Sequence, residues 1–370
     1  MSGVVFMARR MVKAVRLDCR QCKLLFNVCS RAKGPMNELN NTRKLGQKRV
    51  SAVSLGCMSL SHGYGNVAND KDAGKFLNSA LDLGYTMLDT AAVYGYGHNE
   101  TMIGKHIGKR RQEFFLASKC GIGQTPDSQP SVNGRPEHLR QTCEASLQRL
   151  QTDHIDLYYL HRRDFKVPIE ESIGALSDLQ REGKIGAVGV SEIGAEDLRK
   201  AHAEHPISAV QSEYSLWTRN PELAVLQASQ DIGAAFIAFS PLARAFLSNK
   251  LHAPSLLAAD DLRQSMPRFD PANYAANLAL LPEYVRLAER QGCTPAQLAL
   301  AWVVAQSEHI IAIPGTQSLD HLQENIGANE VILERQIAVE LDALINQHTV
   351  TGQRYSEKAQ ATVTTEQFEV

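Results

Sequence analysis

The sequence predicts an α/β fold, a single-domain (β/α)8 barrel, and three observations lead there. Short apolar runs of strand length recur at 52–55, 86–88, 114–118, 156–160, 187–190, 209–211, 234–239 and 310–313. Amphipathic stretches of helical period follow them at about 71–83, 98–109, 136–150, 168–182, 195–204, 221–231, 282–305 and 318–329. The glycine-rich fingerprint that opens a doubly wound dinucleotide-binding sheet is missing after the first run, which reads Leu55-Gly56-Cys57-Met58. Eight strand–helix units with short connections are what a closed parallel barrel needs, whereas a doubly wound sheet usually has fewer.

The first regular pattern begins near Asn41. Pro136, Pro168 and Pro221 fall in expected first helical turns, where the missing amide hydrogen costs nothing. Two segments break the alternation. Residues 244–281 separate the seventh strand from the next helix, and so long a connection reads as a lid or binding loop, with Met266-Pro267-Arg268-Phe269 as its contact segment. Ile313-Pro314-Gly315-Thr316 follows the eighth strand and leads to a helix start at Ser318, where amide groups and the helix dipole favour an anion. In front of the barrel, Arg9, Arg10, Lys13, Arg16, Arg20, Lys23, Arg31 and Lys33 face Asp18 alone. The expected plan is a disordered basic extension over 1–40, the barrel over 41–355 and a tail over 356–370.

Composition limits the partners. The 370 residues are 44% hydrophobic and 21% charged, enough for one large core. Lys plus Arg (39) balances Asp plus Glu (40), so no whole-chain field favours nucleic acid or an anionic membrane. The most apolar stretch, 298–305, is too short to cross a bilayer. The expectation is a cytoplasmic protein acting on a small molecule, with neither nucleic acid nor membrane as partner; oligomeric state is not legible. The seven cysteines (19, 22, 29, 57, 120, 143 and 293) are odd in number and scattered, unlike a disulfide framework. No histidine or fourth cysteine stands near Cys19, Cys22 and Cys29, so no metal site is expected.

The chemistry is carried by Asp89, Tyr94, Lys119 and His161. Three of them stand at or just past the ends of expected strands, after Thr86-Met87-Leu88, Phe114-Phe115-Leu116 and Leu157-Tyr158-Tyr159-Leu160, and Tyr94 lies in the loop after Asp89. A carboxylate, phenol, ammonium and imidazole gathered at strand C-termini can move a proton on or off a carbonyl or alcohol oxygen. An Asp near a Lys at a barrel rim is, taken alone, often a structural ion pair. The four-residue set in this order argues for a site.

With these residues stands a longer series: Leu88-Asp89-Thr90-Ala91 with Tyr94-Gly95, Ser118-Lys119, Leu160-His161-Arg162, Gly189-Val190-Ser191-Glu192, Gln211, Ser240-Pro241-Leu242 and Ile313-Pro314-Gly315-Thr316. In this order, across roughly 41–355, the chain resembles the aldo-keto reductases. Leu55-Gly56-Cys57-Met58-Ser59 and Ser61-His62-Gly63-Tyr64-Gly65 resemble the branch containing broad-range microbial and plant aldehyde reductases.

The resemblance implies an oxidoreductase that reduces aldehydes or ketones to alcohols with hydride from a nicotinamide cofactor, since none of these side chains supplies one. It implies Tyr94 as proton donor, Lys119 favouring the phenolate, Asp89 holding the ammonium and His161 orienting the carbonyl. It also places Ser191, Glu192 and Gln211 on the carboxamide and Phe239 stacked on the nicotinamide ring. Ser240, Leu242 and Arg244 would lie along the pyrophosphate, with Gly315, Thr316, Gln317, His321, Glu324 and Asn325 at the adenosine end. Met58, Tyr64 and Trp217 are candidates for the substrate pocket. Many relatives carry Lys or Arg where Gln317 to Asn325 here has none, leaving His321 as the candidate for the 2′-phosphate. NADP(H) is expected, with NAD(H) use left open. Two other readings remain: a nucleotide-binding regulatory subunit of a larger assembly, and a lyase using Lys119 as a Schiff base.

Overall fold

Eight parallel strands close on themselves in the computed structural model, which describes residues 41–368 apart from 62, 66 and 125–129. The basic extension expected over 1–40 lies outside the described residues. The chain enters through an antiparallel hairpin, β1 (Thr42–Leu45) and β2 (Lys48–Ser51). The barrel strands are β3 (Leu55–Gly56), β4 (Met87–Asp89), β5 (Phe115–Cys120), β8 (Leu157–Leu160), β9 (Val188–Ser191), β10 (Ile207–Glu213), β11 (Ala235–Phe239) and β12 (Ile310–Ile313). A second hairpin, β6 (Ile122–Gln124) and β7 (Pro130–Val132), stands above β5. The sheet runs β3-β4-β5-β8-β9-β10-β11-β12, all neighbours parallel.

The seam between the last strand and the first is made by bridges from Val53 to Ala312 and from Gly56 to Gly315. The amide of Ser54 donates to Ala312 (2.8 Å), that of Ala312 to Ala52 (2.9 Å) and that of Gly56 to Pro314 (3.1 Å). Gly56 is needed here because a Cβ would stand 2.8 Å from the Ile313 carbonyl oxygen. Leu45 and Val50 of the entry hairpin are buried against Met87, Phe115, Leu157, Ala187, Ala209, Ala235 and Ile311. Most of these begin their strands, so the hairpin plugs the N-terminal end and leaves the C-terminal end as the mouth. Burying such aliphatic and aromatic side chains contributes about 1.5–3 kcal/mol each.

All eight expected strands are present. The helical stretch expected over 282–305 is two helices, Leu281–Gln291 and Pro295–Ala305. Gly292 ends the first at φ 73°, and Thr294 with Gln297 forms a capping box on the second. The stretch at 221–231 starts as a short 3-10 turn, Asn220–Leu223, before the helix Val225–Asp231. The long 244–281 connection is folded into 3-10 turns and a helix, Pro271–Leu278. The helix Arg335–Leu344 packs against Leu281–Gln291, where Arg290 pairs with Glu340 (2.6 Å), and was not foreseen. Beyond residue 355 the chain stays on the barrel. Thr364 Oγ1 accepts from the Gly194 amide (3.1 Å) and Glu366 Oε1 from the Ala195 amide (2.7 Å), capping the helix Ala195–Glu204. Among the described residues no helix is long and apolar enough to cross a membrane.

Gly56→Val should destabilise the barrel by about 1–3 kcal/mol, because the seam cannot open without breaking its ladder. Urea denaturation should show a lower midpoint at unchanged slope.

Candidate active site

The register of neighbouring strands gathers the four candidate side chains. Asp89 ends β4 and pairs with Ala117, two residues before Lys119 on β5, and the amide of His161, just past β8, donates to the Cys120 carbonyl (2.9 Å). Asp89 and Lys119 are 2% and 1% exposed, and Tyr94 and His161 are also buried. The Lys119 ammonium is ion-paired to Asp89 Oδ1, donates to the Thr90 carbonyl (2.8 Å) and lies 3.4 Å from the Tyr94 hydroxyl. Gln211 Nε2 donates to the other Asp89 oxygen (2.8 Å). The Tyr94 and His161 rings meet edge to face with centroids 6.0 Å apart.

Tyr94 reaches this position from a tight turn. Gly95, Tyr96 and Gly97 all have left-handed backbone, with φ of 56°, 51° and 93°. At Gly97 a Cβ would fall 2.7 Å from Arg149 Cδ. Arg149 is held by the fully buried Glu100, which accepts from Arg149 Nε (2.8 Å) and from Ser118 Oγ (2.5 Å), beside Lys119. The sequence reading did not single out Glu100 or Arg149. Their partners are 49 and 18 residues from Glu100, and no local period signals such contacts.

Burial raises the Asp89 carboxyl, which Lys119 and the Gln211 hydrogen bond oppose. Burial would lower Lys119, but the charges and hydrogen bonds of Asp89 and Tyr94 outweigh it, so the amine is raised and stays an ammonium. Tyr94 is raised because burial exceeds the downward pull of Lys119. The expected phenolate-favouring field is present, yet the phenol keeps its proton at neutral pH.

Two of the residues expected at the cofactor, and one expected in the substrate pocket, are already engaged by other parts of the chain. The Glu192 carboxylate is taken by Arg354 (2.7 and 3.1 Å) and the Glu213 amide (2.9 Å), so it is not available to an amide ligand. The Arg244 guanidinium is paired with Glu213 Oε2 (2.8 Å). Trp217 is 3% exposed and stacks on Phe246 at 4.3 Å between centroids, with Phe269 edge-on, so it forms wall rather than pocket surface. Ser191 and Gln211 are buried at the ends of β9 and within β10, and Phe239 ends β11. Met58 and Tyr64 are half-buried near the mouth, Tyr64 beneath the Arg263 guanidinium.

A nucleotide fits the groups that remain. Ser240, Ala243, Arg244 and Ala245 all have left-handed backbone, and the amides of Leu242, Arg244 and Ala245 donate to no group of the described protein. Successive amides in such a turn form a concave anion site. Asn325 is buried with Oδ1 unpartnered. Gln317 donates to the Ser59 carbonyl, and Thr316 accepts from Ser59 Oγ (3.2 Å), tying 315–317 to the loop after β3 beside Gly315. Ser318 caps the helix Leu319–Gly327 by accepting from the His321 amide (3.3 Å). A groove of about 740 Å³ beside that helix is lined by His321, Glu324 and Lys250, among others. Lys250, from the long loop, is a cation in that groove, where the 317–325 segment has neither Lys nor Arg. Tertiary placement alone brings it there.

The aldo/keto reductase family profile matches residues 52–346. The chain belongs to that family. Aldo-keto reductase str7 of Strobilurus tenacellus is 37% identical over 323 residues, covering 85% of this chain and 94% of that one. Among solved structures, glycerol dehydrogenase AKR11B4 of Gluconobacter oxydans superposes with a TM-score of 0.75 at 27% identity, covering 85% and 98% of the two chains. An aldo/keto reductase of Klebsiella pneumoniae in complex with NADP and acetate gives 0.65 at 28% identity, covering 85% and 99%. As an aldo/keto reductase the chain is an oxidoreductase on a (β/α)8 barrel.

The Glu192–Arg354 pair gives a test of how this aldo/keto reductase holds its mouth together. Burial would raise Glu192, but Arg354 outweighs it and the carboxyl is depressed. A depressed carboxylate contributes stability above its unfolded pKa and loses it as pH falls through the folded value. Arg354→Met should cost about 3–5 kcal/mol near neutrality by leaving Glu192 buried without a partner. In urea titrations the gap between wild type and variant should narrow as pH falls from about 7 to about 3.

Proposed function

We propose that the protein reduces aldehydes or ketones to alcohols with NADP(H), Tyr94 being the proton donor. One observation carries the reading: a buried phenol whose hydroxyl lies 3.4 Å from the Asp89-paired ammonium of Lys119 at the open end of the barrel. A bound nicotinamide would supply the hydride. The protein's part is geometry and proton supply. The Tyr94 hydroxyl donates to the carbonyl oxygen and passes its proton as negative charge develops there. Lys119 stabilises the phenolate left behind, Asp89 and the Thr90 carbonyl hold that ammonium in place, and His161 faces the Tyr94 ring to direct the carbonyl.

The cofactor would be held by Ser191 and Gln211 at the carboxamide and Phe239 against the ring. The amides of 242–245 would take the pyrophosphate, with Asn325 and Glu324 towards the adenosine. Lys250 with His321 would favour the extra phosphate of NADPH, and the NADP complex of the Klebsiella pneumoniae relative supports that preference. The same geometry speaks against Lys119 as a Schiff-base nucleophile, since an ammonium paired with Asp89 is not the free amine that reaction needs.

Tyr94→Phe should bind NADPH in a fluorescence titration but lower kcat for a small aldehyde by about 10²- to 10⁴-fold. Failure of the wild type to bind either cofactor would refute the reading. Lys250→Ala should raise KM for NADPH about tenfold and leave KM for NADH nearly unchanged, as checked by steady-state kinetics with both cofactors.

A further inference from the structure

The proton-donor site has a cation beside it that the reaction does not use. Arg162 follows His161 at the end of β8 and is half-buried. Its Nη1 donates to the His161 carbonyl (2.7 Å) and to Ser191 Oγ (3.4 Å). Its Nε and Nη2 make no hydrogen bond within the described protein, and neither is a buried orphan. The other arginines around the mouth are spent. Arg163 pairs with Asp197 (2.5 Å), Arg244 with Glu213 (2.8 Å), Arg263 with Asp261 (2.6 Å) and Arg354 with Glu192 (2.7 Å). Arg268 has no carboxylate partner but straps loops together through the Gly352 and Trp217 carbonyls and the Thr218 hydroxyl.

Arg162 stands beside the proton-donor site: it directly follows His161, whose ring meets the Tyr94 ring edge to face, and its Nη1 reaches Ser191 Oγ (3.4 Å). Glu192 feels the Arg162 charge, but its hydrogen bonds go to Arg354 and the Glu213 amide, which leaves the Arg162 donors open. A half-buried guanidinium with open donors and no ion-paired carboxylate is stabilised when a ligand brings an anion to those donors.

We propose that Arg162 is the receptor for an anionic group on the substrate, so that the preferred carbonyl compounds carry a carboxylate or phosphate. This rests on the reductase reading above. The position of Arg162 is fixed by its contacts, since the chain leads to it directly from His161 and its Nη1 reaches across to Ser191 Oγ (3.4 Å) at the end of β9.

The test compares kcat/KM for 4-carboxybenzaldehyde with 4-methylbenzaldehyde, and for glyceraldehyde 3-phosphate with glyceraldehyde, in wild type, Arg162→Met and Arg162→Lys. The wild type should prefer at least one anionic partner by about tenfold or more, the two pairs telling carboxylate from phosphate. Arg162→Met should bring that ratio near one, chiefly through KM, and Arg162→Lys should retain part of it. A wild-type ratio near one in both pairs, or equal losses on charged and neutral aldehydes in Arg162→Met, would overturn the proposal, the second pointing to a cofactor contact. Calorimetric titration with benzoate and with inorganic phosphate reads the site without turnover. One of them should bind Arg162→Met about tenfold more weakly than wild type, and affinities indifferent to the variant would sink the inference. If no aldehyde is reduced while anion binding still depends on Arg162, the reductase reading fails and the anion site stands.

Discussion

The ammonium of Lys119 is buried in the barrel, and the mouth is arranged to keep it charged there. Moving such an ion out of water costs several kcal/mol even after relaxation, so the fold must return that energy locally. Asp89 does so directly, the Thr90 carbonyl accepts a second hydrogen bond, and Gln211 holds the far oxygen of the carboxylate. These partners come from β4, the loop after it and β10, so the charge is stable only when the barrel has closed. The entry hairpin seals the opposite end with apolar side chains, leaving this charged end as the one where a ligand can enter.

Around that centre lies a second ring of ionic contacts that fixes the loops. Glu192 and Glu213, neighbours in space at the ends of β9 and β10, receive Arg354 from near the C-terminus and Arg244 from the long connection. Arg268 ties that connection to Trp217 and to Gly352. Thr364 and Glu366 then cap the helix that follows Glu192. The shape of the pocket is therefore set by segments far from the barrel strands in sequence, held by buried charge pairs. Such pairs act through geometry more than through net stability.

Much of the barrel was legible because its strands are short apolar runs, each set off by a helical period, and such patterns are local. The polar residues at strand ends were legible for the same reason. Asp89, Lys119 and His161 interrupt apolar runs, and one barrel brings all strand ends to one rim. Boundaries at Gly292 and Thr294 were blurred because two apolar helical patterns abut there, although the capping residues mark the break. What escaped depends on partners tens or hundreds of residues away. Glu192 reads as a ligand group until Arg354, 162 positions later, is seen to occupy it. Trp217 reads as pocket until Phe246 covers it, and Lys250 has no motif that would join it to His321.

The sequence alone determined the barrel, the family and which four polar side chains to look for at the strand ends, because hydrophobic periodicity and ordered strand-end residues are properties of the chain itself. The tertiary structure decided which charges are spent and which remain. Whether a carboxylate or guanidinium is available depends on what long-range folding places within about 4 Å of it, and no local pattern encodes that distance. Glu192, Arg244 and Arg354 are consumed by their neighbours, while Arg162, one residue from the expected histidine, is left with open donors beside the site.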